Sequence, residues 1–295
     1  MSSFQQYNPF AKRESHTSRV LTTYRVLVPL SWALVLVIGI YYTINSPQHP
    51  SNSHNLWEQL GRRHTGFSVE LEVVALYWIL LLLAQVYYVS HLFSKDKVVV
   101  TLAANVAPHF ILHNLFVVAW ILLWTRNHFW PAEVIVAAHF IHQHIVFWRI
   151  RGLPSISHLA VIAAPYAWTL ILLFWNGAAA VHKYNPGAEI TANVAIWIIF
   201  LIGVIHIFVP VDDILGYSLS LLTLGLAVDQ TRRKRNVPRQ WIFAWVIFGV
   251  FLVKSLYITG TKYSGRTVFF QRSAEPDSTD AERAPLLNDS TGAAA

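Results

Sequence analysis

A chain of 295 residues with 55% hydrophobic and only 13% charged side chains has too little polar surface to cover a soluble globule of its size. Its 12 Trp and 12 Tyr suit a bilayer, where amphipathic rings collect at the headgroup boundary and at helix contacts. The absence of Cys excludes disulfides, thiolate metal sites and Cys nucleophiles; the net charge of +7, held largely in tails and loops, favours membrane lipids with anionic headgroups as partners and shows no nucleic-acid pattern.

Residues 1–25 read as a polar, basic N-terminal tail, and no small-residue cleavage site follows the first apolar run, so that run is expected to stay as a helix. Spans of about bilayer length are predicted at 26–44, 71–93, 102–124, 132–150, 158–178, 190–209, 213–228 and 239–259. The seventh is short and carries Asp213, Ser218, Ser220 and Thr223, which suits a tilted span or a re-entrant piece. Residues 45–70, rich in Pro, Asn, Ser and His, read as an exposed loop, and 260–295 as a disordered C-terminal tail. The pattern predicts an all-α polytopic transmembrane bundle of about eight spanning helices in one membrane domain, 26–259.

Lys and Arg near the spans bias both termini to the cytosol, with the basic run Arg232 to Arg235 as the countervailing feature. In the C-terminal tail Glu282, Leu286 and Leu287 match an acidic dileucine sorting signal, the kind read by a clathrin adaptor; this implies an endomembrane location in Golgi, endosome or vacuole. Asn288 opens the chain's single glycosylation sequon, and a glycan there would reverse this topology.

Polar residues at membrane depth are the remaining signals. His109 and His113 share a face of the third span, and His139, His142 and His144 lie in the fourth. They offer imidazoles to a metal, with His142 completing a set, or else interhelical hydrogen bonds together with Asn105, Asn114 and Gln143. The second reading is the commoner one, and no metal or cofactor is predicted. Asp212 and Asp213 follow Pro210 near a span end, and Lys254 can snorkel; such charges are the candidates for proton or cation coupling. No hydrolase elbow, Walker loop, zincin or dinucleotide motif is present, so the chain does not read as an enzyme.

Two resemblances add to this. Asn8-Pro-Phe-Ala-Lys-Arg, Leu76-Tyr-Trp-Ile, His109-Phe-Ile-Leu, Ile121-Leu-Leu-Trp-Thr-Arg and Phe174-Trp-Asn-Gly-Ala-Ala-Ala-Val-His182 resemble a family of fungal multi-pass membrane proteins known as a domain of unknown function, number seventeen seventy-four. That resemblance is placed over roughly residues 8–258 and implies architecture without an activity. Pro165-Tyr166-Ala-Trp168 with Asn176, and Trp120 with Trp124, look like parts of the tryptophan-rich sensory or translocator family. Its departures are a missing residue between Tyr166 and Trp168, and Val117 where an Asn would stand. This likeness implies a Trp-lined pocket for a porphyrin- or sterol-like molecule, with Trp78, Trp120, Trp124, Tyr166, Trp168 and Asn176 as candidate ligand-binding residues. A transporter or channel, and a histidine-metal membrane enzyme, stand as alternatives.

Overall fold

The computed structural model describes residues 8–48, 53–62, 65–181, 186–232 and 239–264. Among these no strand occurs, and the chain folds as helices α1 (Ser18–Ile44), α2 (Leu56–Arg62), α3 (Leu71–His91), α4 (Lys97–Trp124) and α5 (Phe129–Arg149). There follow α6 (Ser155–Val181), α7 (Pro186–Phe208), α8 (Asp213–Arg232) and α9 (Gln240–Ser264). Six of these, α1, α3, α4, α6, α9 and α7 from Ile190, are long and apolar enough to cross a membrane. The protein is a polytopic helical bundle whose lipid-suited surface carries Val37, Leu83, Leu201 and Val253, all largely exposed.

Local chemistry sets the helix starts. Thr17 caps α1 by accepting from Val20 N, and Asp96 caps α4 by accepting from Val98 N at 2.8 Å. Helix α1 therefore begins at Ser18, ahead of the expected 26, because a capped amphipathic first turn tolerates Arg19 and Arg25; the Arg25 side chain donates to Leu92 O at 2.8 Å.

Helix α6 forms the centre, with 78% of its apolar window buried against 22% for α1. After a first α turn, Ser155–His158, it passes through a π turn, Leu159–Ala163, where the widened ladder changes which carbonyls are bonded within the helix. Carbonyls in and just after this turn receive side chains from α3: Gln85 Nε2 reaches Ala160 O at 3.5 Å, and Tyr77 Oη donates to Ala164 O at 2.7 Å.

Helices α5 and α8 fall outside the six by composition, and the reason is their place in the bundle. Helix α8 runs 20 residues rather than the expected 16 and buries Gly216, Leu219, Leu222 and Gly225. Its Ser218, Ser220 and Thr223 hydroxyls donate to carbonyls one turn back, so polar side chains are satisfied within the helix and the segment needs no water. Gly225 permits close approach: a Cβ there would meet Val69 at 2.5 Å and Val73 at 2.9 Å.

The expected exposed loop at 45–70 is a correction. Within it Asn55 caps α2 by accepting from Glu58 N at 2.8 Å, and Gln59, Leu60, Phe67 and Val69 are buried. Residues 65–70 are held against α8, where Gln230 donates to Thr65 O and Glu70 N donates to Gly225 O. Glu70 pairs with Arg232 at 2.7 Å; burial raises its carboxyl above the usual range, with Glu72 adding to the rise and Arg232 opposing it.

Successive long helices alternate in direction, so one face collects residues 8–17, the end of α3 and the starts of α4, α6 and α8. The opposite face collects α2, the end of α4 and the end of α8. The tail residues Glu282, Leu286, Leu287 and Asn288 lie outside the described residues.

Candidate functional site

A crevice of about 230 Å³ lies between α1, α3 and α4, with α2 across one end. Three of the six candidate ligand residues, Trp78, Trp120 and Trp168, line it, joined by Trp57, Gly39 and Val74. Trp168 organises the wall: it stands edge-on to Trp78 at 5.3 Å and to Trp120 at 6.1 Å between ring centres. Ile40 and Ile79, both more than half exposed, stand at the rim, so the crevice opens sideways between α1 and α3 toward the hydrocarbon. Its polar edge is small: Trp57 Nε1 donates to Thr43 Oγ1 at 3.1 Å.

The other three candidates sit elsewhere. Trp124 is fully buried, 5.6 Å from Trp120 and against Phe129 and Trp175. Asn176 stands behind the wall. Its Nδ2 donates to Phe129 O at 3.0 Å and Glu133 Oε2 at 2.8 Å, and its Oδ1 faces Trp120 Nε1 at 3.4 Å. It therefore braces the indole of Trp120. Glu133 is a residue the sequence reading passed over, although a carboxylate inside a predicted span was signal enough.

Tyr166 belongs to a second centre. Its hydroxyl lies 3.1 Å from His206 Nε2 and 3.2 Å from His144 Nδ1, and Trp148 Nε1 donates to His206 Nε2 at 3.1 Å. His206 Nδ1 faces Ile202 O at 2.7 Å, which requires the proton on Nδ1 and leaves Nε2 as acceptor. This set ties α5, α6 and α7 together. His206 was not singled out from the sequence, since a lone His in an apolar run gives no spacing signal.

The intramembrane histidines of α4 and α5 form two rungs. His109 Nδ1 lies 3.1 Å from His142 Nε2, and His113 Nδ1 lies 2.8 Å from His139 Nε2, with Gln143 Nε2 at 3.2 Å from the same His113 nitrogen. Antiparallel packing pairs i with j and i+4 with j−3, so His109, His113 and His142 do not converge as a three-imidazole set. No group of three His, Cys, Asp or Glu able to hold a metal occurs among the described residues. The neighbouring amides are also engaged: Asn114 Nδ2 donates to Ser31 Oγ at 3.0 Å, and Asn105 holds Arg13 by accepting from its N and donating to its O. His16 also contacts Asn105; burial lowers its imidazole pKa, the Asn105 bond opposes this, and Arg13 adds to the lowering.

Asp212 and Asp213 are both committed. Asp212 pairs with His158 at 2.7 Å and accepts from Leu215 N at 3.0 Å, capping α8. Burial alone would raise its carboxyl, but the His158 hydrogen bond and charge, the Leu215 N–H and Lys262 outweigh it, and its pKa lies below the usual value. Asp213 pairs with Lys262 and accepts from Thr259 Oγ1 at 2.9 Å. Lys254 Nζ lies over the Phe208 ring at 4.1 Å, a cation–π contact.

No curated protein and no solved structure matches the chain. The stretches that carry the fungal-family resemblance precede residue 189, whereas the family match falls on α7, α8, α9 and part of the tail. Residues 189–287 match the sequence model of the family described as a fungal protein of unknown function (DUF1774), the family whose resemblance was read from the sequence.

Proposed function

We propose that this membrane protein binds a hydrophobic, sterol-like small molecule in the crevice between α1, α3 and α4. The observation that supports this is the side opening of a space of about 230 Å³ walled by Trp78, Trp120 and Trp168. Indole faces and edges give a flat apolar ligand large contact area at low entropic cost. The volume lies under the ~300–1,000 Å³ of pockets that enclose a drug-sized ligand, so the occupant keeps part of its body in the lipid between α1 and α3. An elongated ring system satisfies that better than a broad porphyrin disc.

The experiment is a titration of purified protein in lipid nanodiscs, following Trp fluorescence. A sterol probe is expected to quench saturably, and a porphyrin to quench less steeply. A flat response to both ligands would remove the reading.

For a carrier, Asp212 and Asp213 are already ion-paired, which weighs against those two residues coupling an ion. We further propose that both termini face the cytosol and that Glu282, Leu286 and Leu287 recruit a clathrin adaptor, which directs the protein to endomembranes.

A further inference from the structure

Four neutral-capable imidazoles facing each other in pairs, with no carboxylate among them, form an uncommon group inside an apolar bundle. Each rung presents two ring nitrogens to one another, His109 to His142 and His113 to His139, at 3.1 and 2.8 Å. On the far sides of the same rings, His142 Nδ1 and His113 Nε2 are buried without a partner among the described residues. Buried polar atoms nearly always have partners, so these two nitrogens leave the rungs with unused hydrogen-bonding capacity.

The surroundings select the guest. Phe116 lies 5.1 Å from His139 and 6.0 Å from His142, Phe10 lies 5.0 Å from His109, and Phe110 lies 6.3 Å from His113. Of the charged groups around the rungs, Arg149 at the end of α5 acts on His109; Arg13 and His16 of the N-terminal arm meet Asn105 one turn before His109, Tyr24 of α1 meets His16, and Tyr88 of α3 meets Phe110. None of these is an anion. A divalent ion would bring two charges into a low-dielectric site without a carboxylate, and no three donors converge to complete a tetrahedron. A monovalent d¹⁰ ion is satisfied by two nitrogens in line, and aromatic faces attract a weakly hydrated cation.

We propose that the His109–His142 and His113–His139 rungs are two-coordinate sites for a soft monovalent metal cation of the cuprous or silver type. Binding replaces the N–H···N hydrogen bond of a rung by two nitrogen–metal bonds. The proton on the facing nitrogen shifts to the other nitrogen of its own ring, so each imidazole stays neutral and no proton is released. In the outer rung that nitrogen is His142 Nδ1 or His109 Nε2, and the rings separate slightly to admit the ion. The outer rung fills first, because Gln143 Nε2 competes for His113 Nδ1 in the inner one. Phe10 and the Asn105 clasp on Arg13 cover the approach to the outer rung.

The chain suits a clean test, having no Cys and a single Met. Purified full-length protein is incubated with silver ion, or with cuprous ion under ascorbate, desalted and analysed for metal by mass spectrometry. One ion per rung is expected, with the His109→Phe, His142→Phe double variant losing the tighter site and zinc retained at background. Folding of the variant is checked by its melt, and His144→Phe serves as a variant expected to keep both sites. Isothermal titration of the wild type at two buffer ionisation enthalpies near neutral pH should show no proton release. Absence of retained silver or cuprous ion, equal retention by the double variant, or preference for zinc would each overturn the proposal.

Discussion

Replacing Asp212 with Ala is expected to lower the melting stability of the bundle by about 2–4 kcal/mol, the sum of a lost charge-assisted hydrogen bond and a lost helix cap. Its carboxylate meets His158 on α6 and the Leu215 N–H at the start of α8, and both partners of the ion pair are mostly shielded from water. The variant leaves His158 without its partner and α8 without a cap. Asp212→Asn keeps an acceptor for Leu215 and should lose roughly half as much, since the cap alone contributes ~1 kcal/mol. Thermal melts in one detergent, read by circular dichroism, compare the three proteins.

Acid gives the same pair a pH signature. The folded carboxyl has a lower pKa than the unfolded reference of 3.8, so the unfolded chain binds the proton more readily. The stabilisation is therefore complete above pH 3.8 and is lost as pH falls through the folded value. Both Asp212 variants should lack this acid-side loss; a wild-type melt flat through that window would contradict the assignment.

The second large effect is on binding. Gly39 lines the crevice, and a Cβ built on it meets nothing within 4 Å. Gly39→Phe should therefore fold normally, with a helix-propensity gain of a few tenths of a kcal/mol over Gly, while its ring occupies the crevice. Sterol affinity in the fluorescence titration is expected to fall at least about tenfold, or ~1.4 kcal/mol. Undiminished quenching with an unchanged melt would place the ligand elsewhere.

Apolar runs made the long helices legible, because a buried backbone in lipid must satisfy itself and length alone marks the solution. The place of α8 was harder to see. Its low apolarity reads as a failed span, yet the helix is polar because it packs inside the bundle and returns its hydroxyl bonds to its own carbonyls. Helix α2 was hidden in a loop-like composition, although Asn55 followed by Leu56, Trp57 and Leu60 carries a cap and one apolar face.

At the candidate site, Trp78, Trp120 and Trp168 stood out in the sequence as residue types, but they come from three helices and meet at one crevice only through packing. The hydrogen bonds that hold Asn176 behind the wall depend on Glu133 and Phe129 from another helix, and the pairing of His109 with His142 depends on the α4–α5 register. No single helix's pattern contains either fact.

The central claim is an alternating bundle with the N-terminal arm and the end of α9 on one membrane face. Because the chain lacks Cys, single substitutions at exposed sites can be labelled with an impermeant maleimide in sealed vesicles. Lys95→Cys, Arg151→Cys, Val209→Cys and Tyr263→Cys should react from one side, and Asn45→Cys and His128→Cys only from the other. Labelling of positions 95 and 128 from the same side, or of 209 and 263 from opposite sides, would contradict the fold in its membrane.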